Sequence, residues 1–68
     1  MLTVGGFIDE LGGNQATALI FGVGASAVSN WRAANALPAR LHLRALRIAQ
    51  ERALAFDPER PASIERAA

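Results

Sequence analysis

The stretch NQATALIFGVGASAVSNWRAAN, residues 14–35, decides how this chain folds. Its opening residues are short and alanine-rich and predict a helix over Asn14–Phe21. Gly22-Val23-Gly24 breaks that run for about one turn, and a second helix is expected over Ala25–Ala34. Two helices joined by so short a turn cross steeply and closely. The first helix therefore needs a small residue at the crossing, and Ala18 supplies it. Four residues later the backbone must reverse, often at positive φ, and Gly22 does so at little cost. Val23 is placed to plug the core beside the turn. Val28 and Trp31, three apart, anchor the second helix from beneath, while Ser26, Ser29, Asn30 and Arg32 are distributed away from that face.

Outward from this unit, Val4, Phe7, Ile8 and Leu11 follow the i, i+3, i+4, i+7 spacing of one apolar helical face and predict a helix from Thr3 to Leu11. Thr3 can cap it and Gly12-Gly13 end it. On the other side, Asn35-Ala36-Leu37-Pro38 reads as a connector, because the residue before proline avoids helical geometry and proline suits a first helical position. A long last helix is expected from Ala39 to about Phe56, ended by Asp57-Pro58. Along it Arg40, Arg44, Arg47 and Glu51 form a polar stripe, and Leu41, Ala45, Leu46, Ile48, Ala49 and Phe56 lie opposite, facing the core. Leu43 and Leu54 fall together at the other edge of the stripe. The expected fold is all-α: a compact four-helix domain over residues 1–56 containing a helix-turn-helix, with a short flexible C-terminal tail over residues 57–68.

Composition agrees with that class. Half the residues are hydrophobic but only four are aromatic, so the core is built from Leu, Ile, Val and Ala, which suit helices better than strands. Sixty-eight residues are near the lower limit for an independent core, which predicts help from a partner subunit. The formal net charge of +1 hides an asymmetry. Residues 1–31 carry only Asp9 and Glu10, whereas residues 32–52 carry five arginines against Glu51. The absence of cysteine, of a basic leader before an apolar run and of any apolar stretch long enough to span a bilayer predicts a cytoplasmic protein.

Gln15, Ala18, Gly22-Val23, Val28-Ser29 and Trp31 together resemble the Cro/repressor-type helix-turn-helix proteins of phages and bacteria, and Leu37-Pro38 with the helix after it is similar to small Cro-like prophage or antitoxin-type regulators. The likeness covers roughly residues 3 to 55, and its specific part is residues 14–38. Gly24 stands where that family usually has serine, and Thr17 where it prefers an apolar residue. The resemblance implies a double-stranded DNA-binding regulator, in bacterial or phage cytoplasm, that inserts the second motif helix into the major groove. Carried over position by position, it implies base-edge contacts from Ala25, Ser26, Ser29, Asn30 and Ala33. It implies phosphate contacts from Gln15, Arg32, Asn35 and Arg40, and a motif core of Ala18, Gly22, Val23, Val28 and Trp31.

A homodimer is expected, reading two half-sites about 34 Å apart. Leu19, Ile20, Leu43 and Leu54 exceed what one buried face holds and are the candidate interface. The same surplus supports an alternative, a helix-turn-helix that docks on another regulator, polymerase or toxin. Catalysis is not expected: no Ser/His/Asp grouping or lysine-bearing phosphate loop occurs, and His42 stands without the neighbours a metal site needs. No metal or cofactor is predicted.

Overall fold

The first helix, α1 (Val4–Glu10), starts where Thr3 turns its hydroxyl to accept the amide of Gly6 at 2.9 Å. The computed structural model describes residues 1–63, and among these every regular element is helical. After α1 come α2 (Asn14–Phe21), α3 (Ala25–Ala34), a 3-10 turn over Ala39–Leu41 and α4 (His42–Glu51). The all-helical class and the four helices are as the sequence predicts. Among the described residues no helix is long and apolar enough to cross a membrane.

The α2–α3 unit is built around Gly22. Its φ of 69° and ψ of 37° are left-handed, and the next amide, of Val23, donates back to the Ala18 carbonyl at 3.0 Å. That bond closes the end of α2 and turns the chain into α3 within three residues. Ala18 is 6 % exposed at the crossing, and Val28 and Trp31 are buried beneath α3. Val23 is half-buried against the same cluster. Trp31 meets the Phe21 ring edge-on, with centroids 5.7 Å apart.

Thr17, fully buried, has a physical account here. Its hydroxyl donates to the carbonyl of Ile8 at 3.4 Å, adding to the amides of Leu11 and Gly13 on that oxygen and tying the end of α1 to α2. Gly24 caps α3 through its backbone only, its carbonyl accepting from Ala27 at 3.1 Å. Among the described residues no buried side-chain polar atom lacks a partner.

Helix α4 is shorter than its periodicity suggests. It begins after the 3-10 turn that follows Pro38 and ends at Glu51, not near Phe56. Ala53 takes φ 55°, and the Leu54 amide donates to the Ala49 carbonyl at 2.8 Å while that of Ala53 reaches Gln50 at 3.2 Å. This is a complete left-handed helix stop made without glycine, which is why composition did not announce it. Holding alanine in that conformation costs about 1–2 kcal/mol. Replacing Ala53 by glycine is therefore expected to stabilise the fold by about 1 kcal/mol. Trp31 fluorescence in urea would register this as a higher midpoint at unchanged slope.

The early stop frees Phe56 to fold back. Its ring stacks on Phe7 at 4.1 Å and 7°, and it is 5 % exposed. The chain beyond continues inward. Leu2 donates to the Ala55 carbonyl at 2.7 Å and accepts from the Ala62 amide at 3.1 Å, and Pro58 is buried. Of the segment expected to be a tail, residues 57–62 thus form a strap across the N-terminus, and residues 64–68 lie outside the described residues.

Two further side chains are corrected by the same geometry. Leu54 has left the helix and packs half-buried against the core. Leu46, expected to face inward, is 36 % exposed, because the inward positions of α4 are taken by Ala45 and Ala49. Arg44 joins α4 to α2 in this orientation. Its guanidinium donates to the Ile20 carbonyl at the C-terminal end of α2 and lies 5.4 Å from the centre of the Phe21 ring.

Candidate nucleic-acid interface

Helix α3 presents one face to the core and one to solvent, and the division follows from its sequence. At roughly 100° per residue, Ala25, Ser26, Ser29, Asn30 and Ala33 fall within an arc of about 140°. All five are exposed, while Val28 and Trp31 are buried on the far side. The five positions expected to read base edges are thus gathered on a single surface. It is small and neutral, with two hydroxyls and one carboxamide, so the helix backbone can approach a partner closely.

Beside it, α2 opens at Asn14 with Gln15 exposed and no side chain capping its first amides. Gln15, Ala18, Leu19 and Ala25 line a concavity of about 290 Å³ where the two helices meet. A helix N-terminus concentrates amide donors and the positive end of the helix dipole, an arrangement suited to phosphate.

The remaining expected phosphate contacts fare differently. Arg32 is committed inside the molecule. Its Nη2 donates to Asp9 Oδ1 at 2.8 Å and to Asn14 Oδ1 at 2.9 Å, and its Nε reaches the same Asn14 oxygen at 3.3 Å. Its stem lies across Gly5, where an added Cβ would come within 3.3 Å of the guanidinium. Hydrogen bonding to Arg32 holds the exposed Asp9 carboxyl below the usual carboxylate range. Arg32 is therefore a clamp joining α1, α2 and α3 before it is a phosphate ligand, and its side chain keeps 37 % exposure.

Asn35 is not a surface residue of the motif either. It closes α3 in the left-handed conformation at φ 53°, its Oδ1 accepts the Val4 amide at 2.9 Å, and its Nδ2 donates to the Ala62 carbonyl at 2.8 Å. Asn35 thus ends α3 through its backbone, while its carboxamide caps α1 and holds the strap. Sequence reasoning missed this because both partners are backbone groups more than twenty-five residues away.

Arg40 is exposed on the 3-10 turn and shares a shallow concavity with Arg44, Arg47 and Leu43. The structure groups it with α4, not with α3. Of the four expected interface leucines and isoleucines, Leu19 and Leu43 are 84 % and 66 % exposed, whereas Ile20 and Leu54 pack half-buried against the core. His42 links its ring Nε2 to the Leu37 carbonyl at 3.0 Å, fastening the connector to α4. No cluster of potential metal ligands exists among the described residues. No family model matches the chain, and comparison with curated proteins and with solved structures returns no match.

Proposed function

We propose that this protein is a sequence-specific double-stranded DNA-binding regulator that lays α3 in the major groove, with repression by operator occupancy as its mode of action. The observation that carries this reading is the exposed face of α3. Five small, uncharged positions share one side of a helix held rigidly from behind by Val28 and Trp31. The major groove, about 12 Å wide, admits such a helix, and small side chains let it seat deeply. Asn30 has the donor–acceptor pair that matches adenine, the serines can bond to any base, and Ala25 and Ala33 suit thymine methyl groups. The groups for phosphate are the amide end of α2 with Gln15 beside this surface, and Arg40 with Arg47 on the α4 side of the molecule.

The internal use of Arg32 and Asn35 lowers the number of phosphate contacts below what the resemblance implies. With Arg40 and Arg47 as the cationic phosphate contacts of a single copy, log affinity should fall with log salt at a slope of about −2. Fluorescence anisotropy on duplex fragments, including the DNA upstream of the protein's own gene, across a salt series would measure this. A shallow straight line with preference among fragments is the expected result. No binding at low salt by folded protein would refute it.

A second reading has its own observation. Leu19 is 84 % exposed at the mouth of the α2–α3 concavity, an apolar side chain where a DNA-facing surface gains nothing from one. A helix-turn-helix that docks on another protein through this surface would use Leu19 and leave duplex DNA unbound.

A further inference from the structure

We infer that a second copy of this chain docks on α4 by inserting Leu43 into the groove between α4 and the 57–59 strap, with the two α4 helices side by side in the same direction. The groove has a volume of about 560 Å³ and is lined by Leu43, Leu46 and Pro58 together with the acidic Asp57 and Glu59. On the opposite side of Leu43 lies the basic concavity of Arg40, Arg44 and Arg47. Leu43 is thus a ridge, 66 % exposed, between an acidic-rimmed groove and a basic-rimmed one. It sits two residues from fully buried Ala45, hence roughly 160° round the helix from the core. Nothing within its own fold uses it.

The occupant follows from the symmetry of these features. A two-fold contact applies the same patch to itself, so the patch must be self-complementary. With the α4 helices parallel and the two-fold axis running between them, each Leu43 enters the other copy's groove. The Arg40 and Arg47 side of each copy then faces Asp57 and Glu59 of the other. An antiparallel pair would set basic rim against basic rim and acidic against acidic. A cationic or an anionic foreign surface would match only one of the two rims, whereas a second copy matches both. Covering Leu43 and Leu46 also supplies the apolar burial that a chain of this size is short of.

Sedimentation equilibrium without DNA tests this independently of the DNA-binding reading. The full chain should be a dimer at micromolar concentration. Leu43→Glu should raise the dissociation constant at least tenfold, with Trp31 fluorescence and helical circular dichroism unchanged. Two charge variants make the geometry falsifiable. Arg40→Glu with Arg47→Glu, and separately Glu59→Arg, should each weaken self-association, and mixing the two variants should restore a dimer, because both rims are then complementary again. A monomeric wild-type chain, or a dimer indifferent to Leu43→Glu, would overturn the proposal. Dimers that the mixture does not restore would overturn the parallel arrangement.

Discussion

Replacing Phe56 by alanine is expected to unfold most of the protein at room temperature. Removal of a buried phenylalanine costs about 3–5 kcal/mol, through lost transfer free energy and the cavity left behind. A chain below about 70 residues with one small core has little more than that to lose. Phe56 is 5 % exposed and stacks on Phe7, itself fully buried at the centre of α1. The loss would not stop at the ring. The neighbouring Ala55 carbonyl accepts from Leu2, and the strap that follows reaches Leu2 and Asn35 through Ala62. Loosening Phe56 therefore releases the N-terminal cap and the α3 stop together. Urea unfolding followed by circular dichroism and by the single Trp31 would show a collapsed midpoint, and Arg60→Ala on the exposed strap would be a neutral control. An F56A unfolding free energy within about 1 kcal/mol of wild type would mean that the segment after α4 contributes nothing to the fold.

That dependence on residues 55–62 was the least legible part of the sequence, and the reason is physical. Periodicity reports a helix only while the chain stays helical, and the positions after Glu51 continue an acceptable apolar pattern in Leu54 and Phe56. The stop is written in backbone geometry at Ala53, a residue type that rarely takes left-handed φ. By contrast the α2–α3 unit was readable almost residue by residue. Its constraints are local and steric: a small residue at Ala18, a left-handed turn at Gly22, and two anchors three apart at Val28 and Trp31. The exposed face of α3 was legible for the same reason, since fixing the buried side of a helix fixes the other.

The polar residues around the motif were not. Whether an arginine meets solvent or a neighbouring carboxylate depends on which helices come together in space. Sequence distance hides the clamp of Arg32 on Asp9, twenty-three residues earlier, and the span from Asn35 to Val4 and Ala62. The rotation of α4 was legible except at one position. The sequence already set Ala45 and Ala49 inward and Leu43 off the core face, and only Leu46, at the edge of that face, turns out 36 % exposed.

Introducing acids at Ser29 and Asn30 together should reduce duplex affinity at least about a hundredfold, to the floor of an anisotropy assay. Each lost base-edge contact is worth about 1–3 kcal/mol, and two carboxylates in the groove add repulsion from the phosphates on either side. Both residues are exposed and glutamate is a good helix former, so Ser29→Glu with Asn30→Glu should leave the melting midpoint within a few degrees of wild type. The fold is thereby separated from the function. The milder pair, Ser29→Ala with Asn30→Ala, should keep salt-dependent binding through Gln15, Arg40 and Arg47 but flatten the preference among fragments, because phosphate contacts position a protein without reading sequence. If the acidic pair bound duplex as well as wild type, α3 would not be the reading helix. A protein partner at the Leu19 surface would then be the better account, since charges at Ser29 and Asn30 would leave that surface intact.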